Sequence, residues 1–399
     1  MSDLTWLAIP LGIGLLGVAL LDVFLTVLHI QAQSPISARL HRGMWRLFLW
    51  ASRALPPGLR GEVLAWGAPL MIGGLPVLWL ILCIAGFGAL YVPVIEDPRA
   101  FRIAQDTPSA PVANAVYFSA VTFLTVGYGG IVPLYPLGRL LTFVEGATGL
   151  LTISLAVTYL LSVYPMIARK MVVATTLNQE TAGRSHGVAL ATRYLAVGRD
   201  DALGERMRWI NDELLALGQA HGLYPVMYYV RPREVQHSFV RILAVVQGIV
   251  GTLRYTLDPE AHRPVVNDPR LLTLEEGLLQ TLHAVANSYH LTPKGESSWD
   301  EEGARNSFHL QIEELRRGGL TPLLAAADAE AAFCRFRAAT DPVIRAYALN
   351  VGYDIDAVWA VYGRRARDAA PTVAEGIDIP RADDHPTVRK PTAPRDRRG

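Results

Sequence analysis

Three long apolar stretches in the first 170 of 399 residues constrain the fold more than any other feature of this sequence. They cover residues 4–30, 63–92 and about 137–167. A helix needs about 20 apolar residues to cross the hydrocarbon core of a bilayer, so each stretch is long enough. The first stretch has no Lys or Arg before it and no small-residue cleavage pattern after it, which argues against a removable signal peptide. We therefore predict three membrane-spanning helices.

The arginines beside these stretches predict their orientation, because positive charges concentrate on the cytoplasmic side of membrane proteins. The third stretch ends on Arg169 and Lys170. The connection after the first stretch holds five arginines: Arg39, Arg42, Arg46, Arg53 and Arg60. We therefore expect a multi-pass protein of the cell membrane, with its N-terminus outside and its C-terminal half in the cytoplasm.

Two features accompany the first span. Gly12, Gly14 and Gly17 match the spacing of a dinucleotide-binding motif, but they lie in a spanning helix without a preceding strand. We interpret them as a small-residue face for helix packing. Residues 39–55 interleave arginines with Leu and Trp, a pattern typical of an amphipathic helix in the membrane interface. We interpret that helix as an anchor, with transmission of motion as the alternative.

A fourth apolar stretch, residues 112–124, is too short to span the membrane and leads into Thr125-Val126-Gly127-Tyr128-Gly129. Non-helical backbone at membrane depth is tolerated only where it is buried in protein or lines a water-filled path. A cation that loses its water needs protein oxygens instead, and successive backbone carbonyls pointing the same way supply them. Such alignment needs backbone angles that a Cβ disfavours, which explains the alternate glycines. The pattern predicts an ion pathway lined by carbonyl oxygens.

Residues 63–167 resemble the pore domain of potassium channels, with an outer helix, a pore helix, a filter and an inner helix. The pentapeptide at 125–129 is that of a potassium filter. The resemblance continues past the filter with a Gly-Arg pair at 138–139 and with Gly149, twenty residues after the filter, as in the simplest bacterial members. Glu145 resembles the inner-helix glutamate of bacterial inward-rectifier-type channels.

This resemblance implies passive, potassium-selective conduction across the lipid bilayer, without an enzymatic reaction or a cofactor. K⁺ is the metal implied, bound by the carbonyls of Thr125, Val126, Gly127 and Tyr128 and by the Thr125 hydroxyl. Gly129 supplies backbone freedom, and the Tyr128 ring packs the filter from behind. Because the sequence contains one filter loop and no internal repeat of it, a homotetramer is expected. The net charge of +1 gives no reason to expect a nucleic-acid partner.

Three positions depart from the usual potassium-channel pattern. Gly130 follows the filter where aspartate is usual, Val121 stands where a glutamate often lies behind the filter, and Leu124 replaces a threonine. None of them supplies a filter carbonyl, but the usual carboxylate brace is missing, which bears on filter stability and conductance. Two alternatives therefore stay open: a weakly selective cation channel, and a membrane-anchored receptor or scaffold with a vestigial pore.

The inner helix carries further candidates. Those for a hinge or gate are Gly149, Leu161 and Pro165, and those that line the pathway below the filter are Leu150, Ile153, Val157 and Thr158. Pro165 either bends the helix or only ends it. Of the two acids within the spans, Asp22 makes a polar contact with another helix or has a functional role, and Glu145 braces the region behind the filter.

The remaining sequence predicts an all-α cytoplasmic domain of six to eight helices. Predicted helices cover 201–221, 233–257, 269–290, 304–317 and 322–339. The domain lacks recognisable phosphate-binding or calcium-binding motifs, so ligand sensing and tetramer organisation are both open roles. A tail rich in Pro, Asp and Arg is expected to be disordered.

The sequence therefore predicts an all-α membrane protein with three transmembrane helices plus a re-entrant pore helix and filter, followed by an all-α cytoplasmic domain. The predicted divisions are residues 1–62 for the first span and the interfacial helix, 63–170 for the pore domain, 171–370 for the cytoplasmic domain and 371–399 for the tail.

Overall fold

A computed structural model of the chain describes residues 6–28, 35–104, 109–293, 299–323 and 327–362. The predicted tail from residue 371 lies outside the described residues. The protein is an all-α membrane protein, and three of its described helices are long and apolar enough to cross a bilayer.

The membrane half contains six helices and two short strands within the described residues. In chain order they are α1 (Ala8–Val27), α2 (Pro35–Arg53), α3 (Pro57–Ala65), α4 (Gly67–Tyr91), β1 (Phe101–Ile103), α5 (Pro111–Phe123), β2 (Ile131–Pro133) and α6 (Pro136–Glu180). The spanning helices are α1, α4 and α6, and α3 continues almost directly into α4. With 13 residues, α5 is about 20 Å long, too short for a hydrocarbon core of about 30 Å.

A close contact between glycines joins α1 to α4. A Cβ on Gly12 would lie 2.6 Å from the carbonyl oxygen of Gly86, so both positions need glycine for the backbones to approach this closely. Gly14 and Gly17 have no such neighbour within 4 Å. Of the three glycines in the predicted packing face, only Gly12 is therefore needed for contact within the chain.

The amphipathic helix α2 presents two different faces. His41 and Trp45, one turn apart, are buried against the protein, whereas Leu47 and Trp50 are exposed. The indole Nε1 of Trp45 donates a hydrogen bond of 2.9 Å to the carbonyl of Asn350 in the C-terminal half of the chain. The helix is therefore docked on the protein through one tryptophan and leaves the other free for the membrane interface.

The inner helix α6 is longer than the sequence predicted. It passes through Pro165 without interruption and ends at Glu180, so the interpretation that Pro165 ends the helix is wrong. With 45 residues it is about 68 Å long, more than twice the thickness of the hydrocarbon core. Beyond the proline, Val173 and Leu177 are buried in the same core as the helices that follow α6, and this burial offsets the hydrogen bond that proline removes.

Eight helices follow α6 in the described part of the C-terminal half, at the upper end of the predicted number. They are α7 (Val188–Leu195), α8 (Asp200–Leu223), α9 (Phe239–Tyr255), α10 (Arg263–Val266), α11 (Pro269–Tyr289), α12 (Glu301–Arg317), α13 (Ala327–Asn350) and α14 (Ile355–Trp359). Short 3₁₀ turns cover Pro225–Tyr229 and Val235–His237. The core is built around α9, which is buried on nearly every side.

Two predicted helix starts in this domain are wrong. The helix predicted from residue 233 begins at Phe239, because the Ser238 hydroxyl caps it by accepting a hydrogen bond from the Arg241 amide at 3.1 Å. The helix predicted at 322–339 runs instead over Ala327–Asn350, because Pro322 pairs with Leu257 in a β-bridge.

Candidate ion-conduction site

The segment after α5 has an alternating backbone. The φ angles of Thr125, Gly127 and Gly129 are +57°, +64° and +78°, whereas Val126 and Tyr128 between them are not in this left-handed region. Such alternation turns successive peptide groups so that their carbonyls point to one side of the strand. The glycines at 127 and 129 were expected from the sequence. The left-handed Thr125 was not, because a β-branched residue rarely adopts this conformation.

The end of the pore helix holds the start of this segment. The Val121 carbonyl accepts hydrogen bonds from the amides of Val126 at 2.8 Å and Gly127 at 3.3 Å. The Thr125 amide donates to the Thr122 carbonyl at 3.0 Å. Val121 thus supports the segment through its backbone, at the position where potassium channels often carry a glutamate side chain.

A two-stranded antiparallel sheet holds the other end of the segment. The strands β1 and β2 pair antiparallel, with Phe101 opposite Pro133, Arg102 opposite Val132 and Ile103 opposite Ile131. The Gly130 carbonyl accepts a hydrogen bond from the Ala104 amide at 2.9 Å. The outer loop is therefore tied to the residue that replaces the usual aspartate, and the sequence did not predict these strands.

The filter side chains are largely free in a single chain. Val126 is 48% exposed and Tyr128 is 74% exposed. The Tyr128 ring was expected to pack behind the filter, and its own chain does not cover it.

Behind the pore helix, Glu145 of α6 is fully buried and joins three helices. Its Oε2 accepts a hydrogen bond of 2.8 Å from the Tyr91 hydroxyl on α4, and its Oε1 lies in hydrogen-bond contact with the Ser119 hydroxyl on α5. The Ser119 hydroxyl also lies 2.9 Å from the Ile84 carbonyl oxygen. Through these hydrogen bonds Glu145 links α6 to both α4 and α5.

One turn further, Gly149 lets α6 approach the end of α5. A Cβ at this position would collide with the carbonyl oxygen of Phe123 and would lie 3.2 Å from its Cα. Gly149 is therefore required for close packing against the pore helix. Its role as a hinge remains a prediction.

The face of α6 below the filter is uncovered in the single chain. Exposed residues on it include Leu150, Val157, Thr158, Leu161 and Pro165, and Ile153 is half-buried. The opposite face packs on the outer helix, where the rings of Tyr159 and Trp79 meet edge to face at 6.0 Å. The candidates for pathway lining and gating therefore share a face that no other part of their own chain occupies.

Asp22 lies at the junction of α1, α2 and α4, away from the filter. Its carboxylate is buried and accepts hydrogen bonds from the Trp79 indole at 2.7 Å and the Ser37 hydroxyl at 2.8 Å. The Ser37 backbone amide, in the first turn of α2, donates to it at 3.2 Å. The carboxylate thus satisfies an amide at the N-terminus of α2 that has no partner within its own helix.

Two buried basic side chains, Lys170 of α6 and Arg241 of α9, connect α6 and the turn after it to the helices that follow. The Lys170 ammonium is fully buried and donates to the Val230 carbonyl at 2.7 Å. The Arg241 guanidinium donates to the Gly183 carbonyl at 2.7 Å, just past the end of α6, and to the Val358 carbonyl of α14 at 2.6 Å. Burial lowers the pKa of Arg241 to about 10, so it stays charged at neutral pH.

Comparison with known proteins agrees with this architecture. Residues 77–164 match the sequence model of a family described as ion channel. This match confirms the resemblance to potassium-channel pore domains, and it identifies an ion-channel domain within a multi-pass membrane protein. The chain is also 26% identical over 255 residues to the "Uncharacterized membrane protein YdjJ" of Bacillus subtilis (strain 168), covering 63% of this chain and 71% of that protein. No solved structure matches the chain.

Proposed function

We propose that the chain is one subunit of a homotetrameric, potassium-selective channel that conducts K⁺ passively across the cell membrane. The observation that carries this proposal is the alternating backbone of residues 125–129, set between a helix too short to span and a long inner helix. Aligned carbonyls there replace the water around a dehydrated K⁺.

The exposed surfaces of the single chain support a tetramer. Tyr128 and Leu161 are 74% and 70% exposed, and Leu150 and Val157 on the same α6 face are 61% and 50% exposed, although all lie in the apolar pore region. Four copies around one axis would cover these side chains and would bring four filter segments into one ring. In that arrangement a neighbouring subunit packs against the Tyr128 ring.

The proposed orientation places the N-terminus outside and the residues after 170 in the cytoplasm. Supporting it, the arginines of α2 and the Arg169–Lys170 pair lie on the side where the cytoplasmic helices gather. The predicted division at 170 then marks where α6 leaves the membrane rather than where a helix ends.

Regulation by the cytoplasmic domain is part of the proposal. The α6 helix runs unbroken from beside the filter to the cytoplasmic core, so a rearrangement around Lys170 or Gly183 moves the helix that lines the pathway. Leu161 and Pro165 lie between these contacts and the filter, where a constriction would form.

The test is potassium and sodium flux into liposomes containing the purified protein. We expect flux selective for K⁺, abolished in Gly127→Ala because alanine is strained at a φ of +64°. The matched control is Gly130→Ala, since Gly130 lacks a positive φ and has nothing within 4 Å of an added Cβ.

Each other outcome points to a different function. Equal K⁺ and Na⁺ flux, lost in Gly127→Ala, would support the weakly selective cation channel. If Gly130→Ala loses as much flux as Gly127→Ala, the loss of flux does not result from strain at the positive φ of residue 127. If a folded protein of tetrameric size conducts nothing even when it is truncated after Lys170, the receptor or scaffold alternative stands.

A further inference from the structure

A cavity of about 330 Å³ lies between the interfacial helix α2 and the cytoplasmic domain, far along the chain from the filter. From α2 it is lined by His41, Arg42 and Arg46, and from the cytoplasmic domain by Tyr228, Ser288 and Tyr289, among others. Its two walls therefore belong to different parts of the protein, and one of them lies at the membrane interface.

The charge of this cavity is one-sided. Two guanidinium groups line it, and no carboxylate is among its described lining residues. Over its whole length α2 contains four arginines and no acidic residue. Elsewhere arginines pair with acids, as Arg169 does with Glu213 at 2.7 Å and Arg254 with Glu275 at 2.7 Å. Within the described part of the chain, Arg42 and Arg46 make no such pair, so their charge is available to a ligand.

Two buried polar side chains of the cavity lack partners among the described residues. Neither ring nitrogen of His41 has a hydrogen bond, although only 2% of the residue is exposed. The hydroxyl of Tyr228, which is 3% exposed, has none either. A buried polar group without a partner is costly, and such groups in a native protein call for an explanation. The Arg42 Nε donates to the Ala38 carbonyl at 3.2 Å, but neither Arg42 nor Arg46 has an acidic partner among the described residues. Unpartnered polar groups beside such guanidiniums indicate a site that is complete only with a ligand.

The tyrosines hold the cytoplasmic wall rigid. The Tyr228 ring stacks between Tyr289 at 3.9 Å and Tyr347 at 4.6 Å, and the hydroxyl of Tyr289 donates to the His221 carbonyl at 2.7 Å. The positive charge of Arg42 and Arg46 reaches this wall, since both oppose the burial that raises the pKa of Tyr229 to about 12. The site is therefore preorganised, with cations on one wall facing hydroxyls on the other.

We propose that this cavity binds a phosphate-bearing anion, held by the guanidiniums of Arg42 and Arg46. Guanidinium forks match phosphate oxygens in geometry and charge, and imidazole and hydroxyl groups donate further hydrogen bonds. One source of the phosphate is a lipid headgroup, since the exposed side chains of Leu47 and Trp50 place α2 at the membrane interface. The other source is a soluble compound from the cytoplasm. In both cases the anion ties α2 to the cytoplasmic domain, and its binding does not depend on which ion the pore conducts.

The experiment measures the thermal unfolding midpoint of the full-length protein in neutral detergent against ligand concentration. One arm adds tripolyphosphate, and the other adds phosphatidic acid in mixed micelles, with phosphatidylcholine as the neutral reference. The variants are the double substitution Arg42→Gln with Arg46→Gln, and Ser288→Asp, which places a carboxylate on the opposite wall. The control is Arg39→Gln, which removes one arginine charge from α2 outside the cavity. Each variant should elute from size-exclusion chromatography at the same volume as the unmodified protein, which checks that it is folded.

We expect ligand to raise the midpoint of the unmodified protein and of Arg39→Gln with the same half-saturating concentration. The double variant and Ser288→Asp should need a concentration higher by roughly tenfold or more, because each loses charge-assisted hydrogen bonds or adds repulsion. A response to tripolyphosphate identifies a soluble source, and a response to phosphatidic acid alone identifies a lipid. The proposal is overturned if neither ligand raises the midpoint, or if Arg39→Gln weakens binding as much as the cavity variants do.

Discussion

The indole Nε1 of Trp79 donates a hydrogen bond of 2.7 Å to Oδ2 of Asp22, which links the outer helix of the pore to the first span. The same carboxylate accepts from the backbone amide and hydroxyl of Ser37 at the start of α2. One buried charge thus holds together the span, the interfacial helix and the outer helix. These contacts give the acid that interrupts the first apolar stretch a structural role.

We expect Asp22→Asn to lower the free energy of unfolding by about 2 kcal/mol, because the new amide group places a donor against donors. Trp79→Phe keeps the apolar ring and should cost less, about 1 kcal/mol, since only one hydrogen bond is lost. Thermal unfolding in detergent measures both. The control is Asp212→Asn, an exposed carboxylate on α8, and an equal effect there would contradict the prediction.

A second prediction concerns the buried contacts of Glu145. Glu145→Gln keeps the shape of the side chain. Its amide oxygen can still accept from the Tyr91 hydroxyl and its amide NH2 group can donate to the Ser119 hydroxyl, so stability should stay near that of the unmodified protein. Glu145→Leu leaves both hydroxyls without this partner and should cost about 2–4 kcal/mol. Unfolding curves together with potassium flux measure the difference. A leucine variant as stable as the glutamine variant would show that the brace contributes nothing.

A third prediction uses two glycines on one helix. Gly149→Ala forces a Cβ against the Phe123 carbonyl and should destabilise the protein by about 3 kcal/mol or displace α6 from α5. Gly146→Ala, whose Cβ would lie 3.8 Å from the Thr122 carbonyl oxygen, should be neutral or slightly stabilising. Helix propensity favours both substitutions equally, so unfolding midpoints isolate the packing effect. Equal midpoints would contradict the close approach of the two helices.

A fourth prediction follows from His221, a buried histidine of α8. Burial, and then the nearby charge of Lys170, lower the pKa of His221 from 6.5 to about 3. The folded protein therefore holds the ring neutral, whereas the unfolded chain takes up a proton below pH 6.5. Stability is present in full above pH 6.5 and is lost as the pH falls towards 3, by up to about 1.4 kcal/mol per pH unit for this one group.

The measurement is the unfolding midpoint between pH 7.5 and 4.5. His221→Phe should flatten the pH dependence, because phenylalanine keeps a ring stacked on Phe239, where the two rings are 4.0 Å apart. His290→Phe is the control, since that histidine is exposed. A slope unchanged by His221→Phe would mean that other groups carry the acid sensitivity.

The spans and the half-span were predictable because length and apolarity are properties of consecutive residues. The alternate glycines of the filter were readable for the same reason, since glycine is the residue that tolerates a positive φ. The end of α6 was not readable, because Pro165 carries a local signal for termination. Burial of Val173 and Leu177 against helices distant in sequence overrides that signal. Nor was the pairing of β1 with β2, because these three-residue strands are separated along the chain by α5 and residues 125–129.

Length, apolarity and residue type along the chain were enough to predict which segments enter the membrane, which residues flank positions 125–129 and which acids lie within the spans. Contacts between distant segments showed what those acids touch, that Thr125 takes a left-handed conformation and that Trp45 docks while Trp50 stays exposed. The same contacts bring Arg42 and Arg46 to a cavity with no carboxylate among its described lining residues. These features were not predictable because their partners are far apart along the chain. Apolarity and backbone propensity act within a few residues, whereas the partners of Asp22, Glu145 and Trp45 lie 57, 54 and 305 residues away.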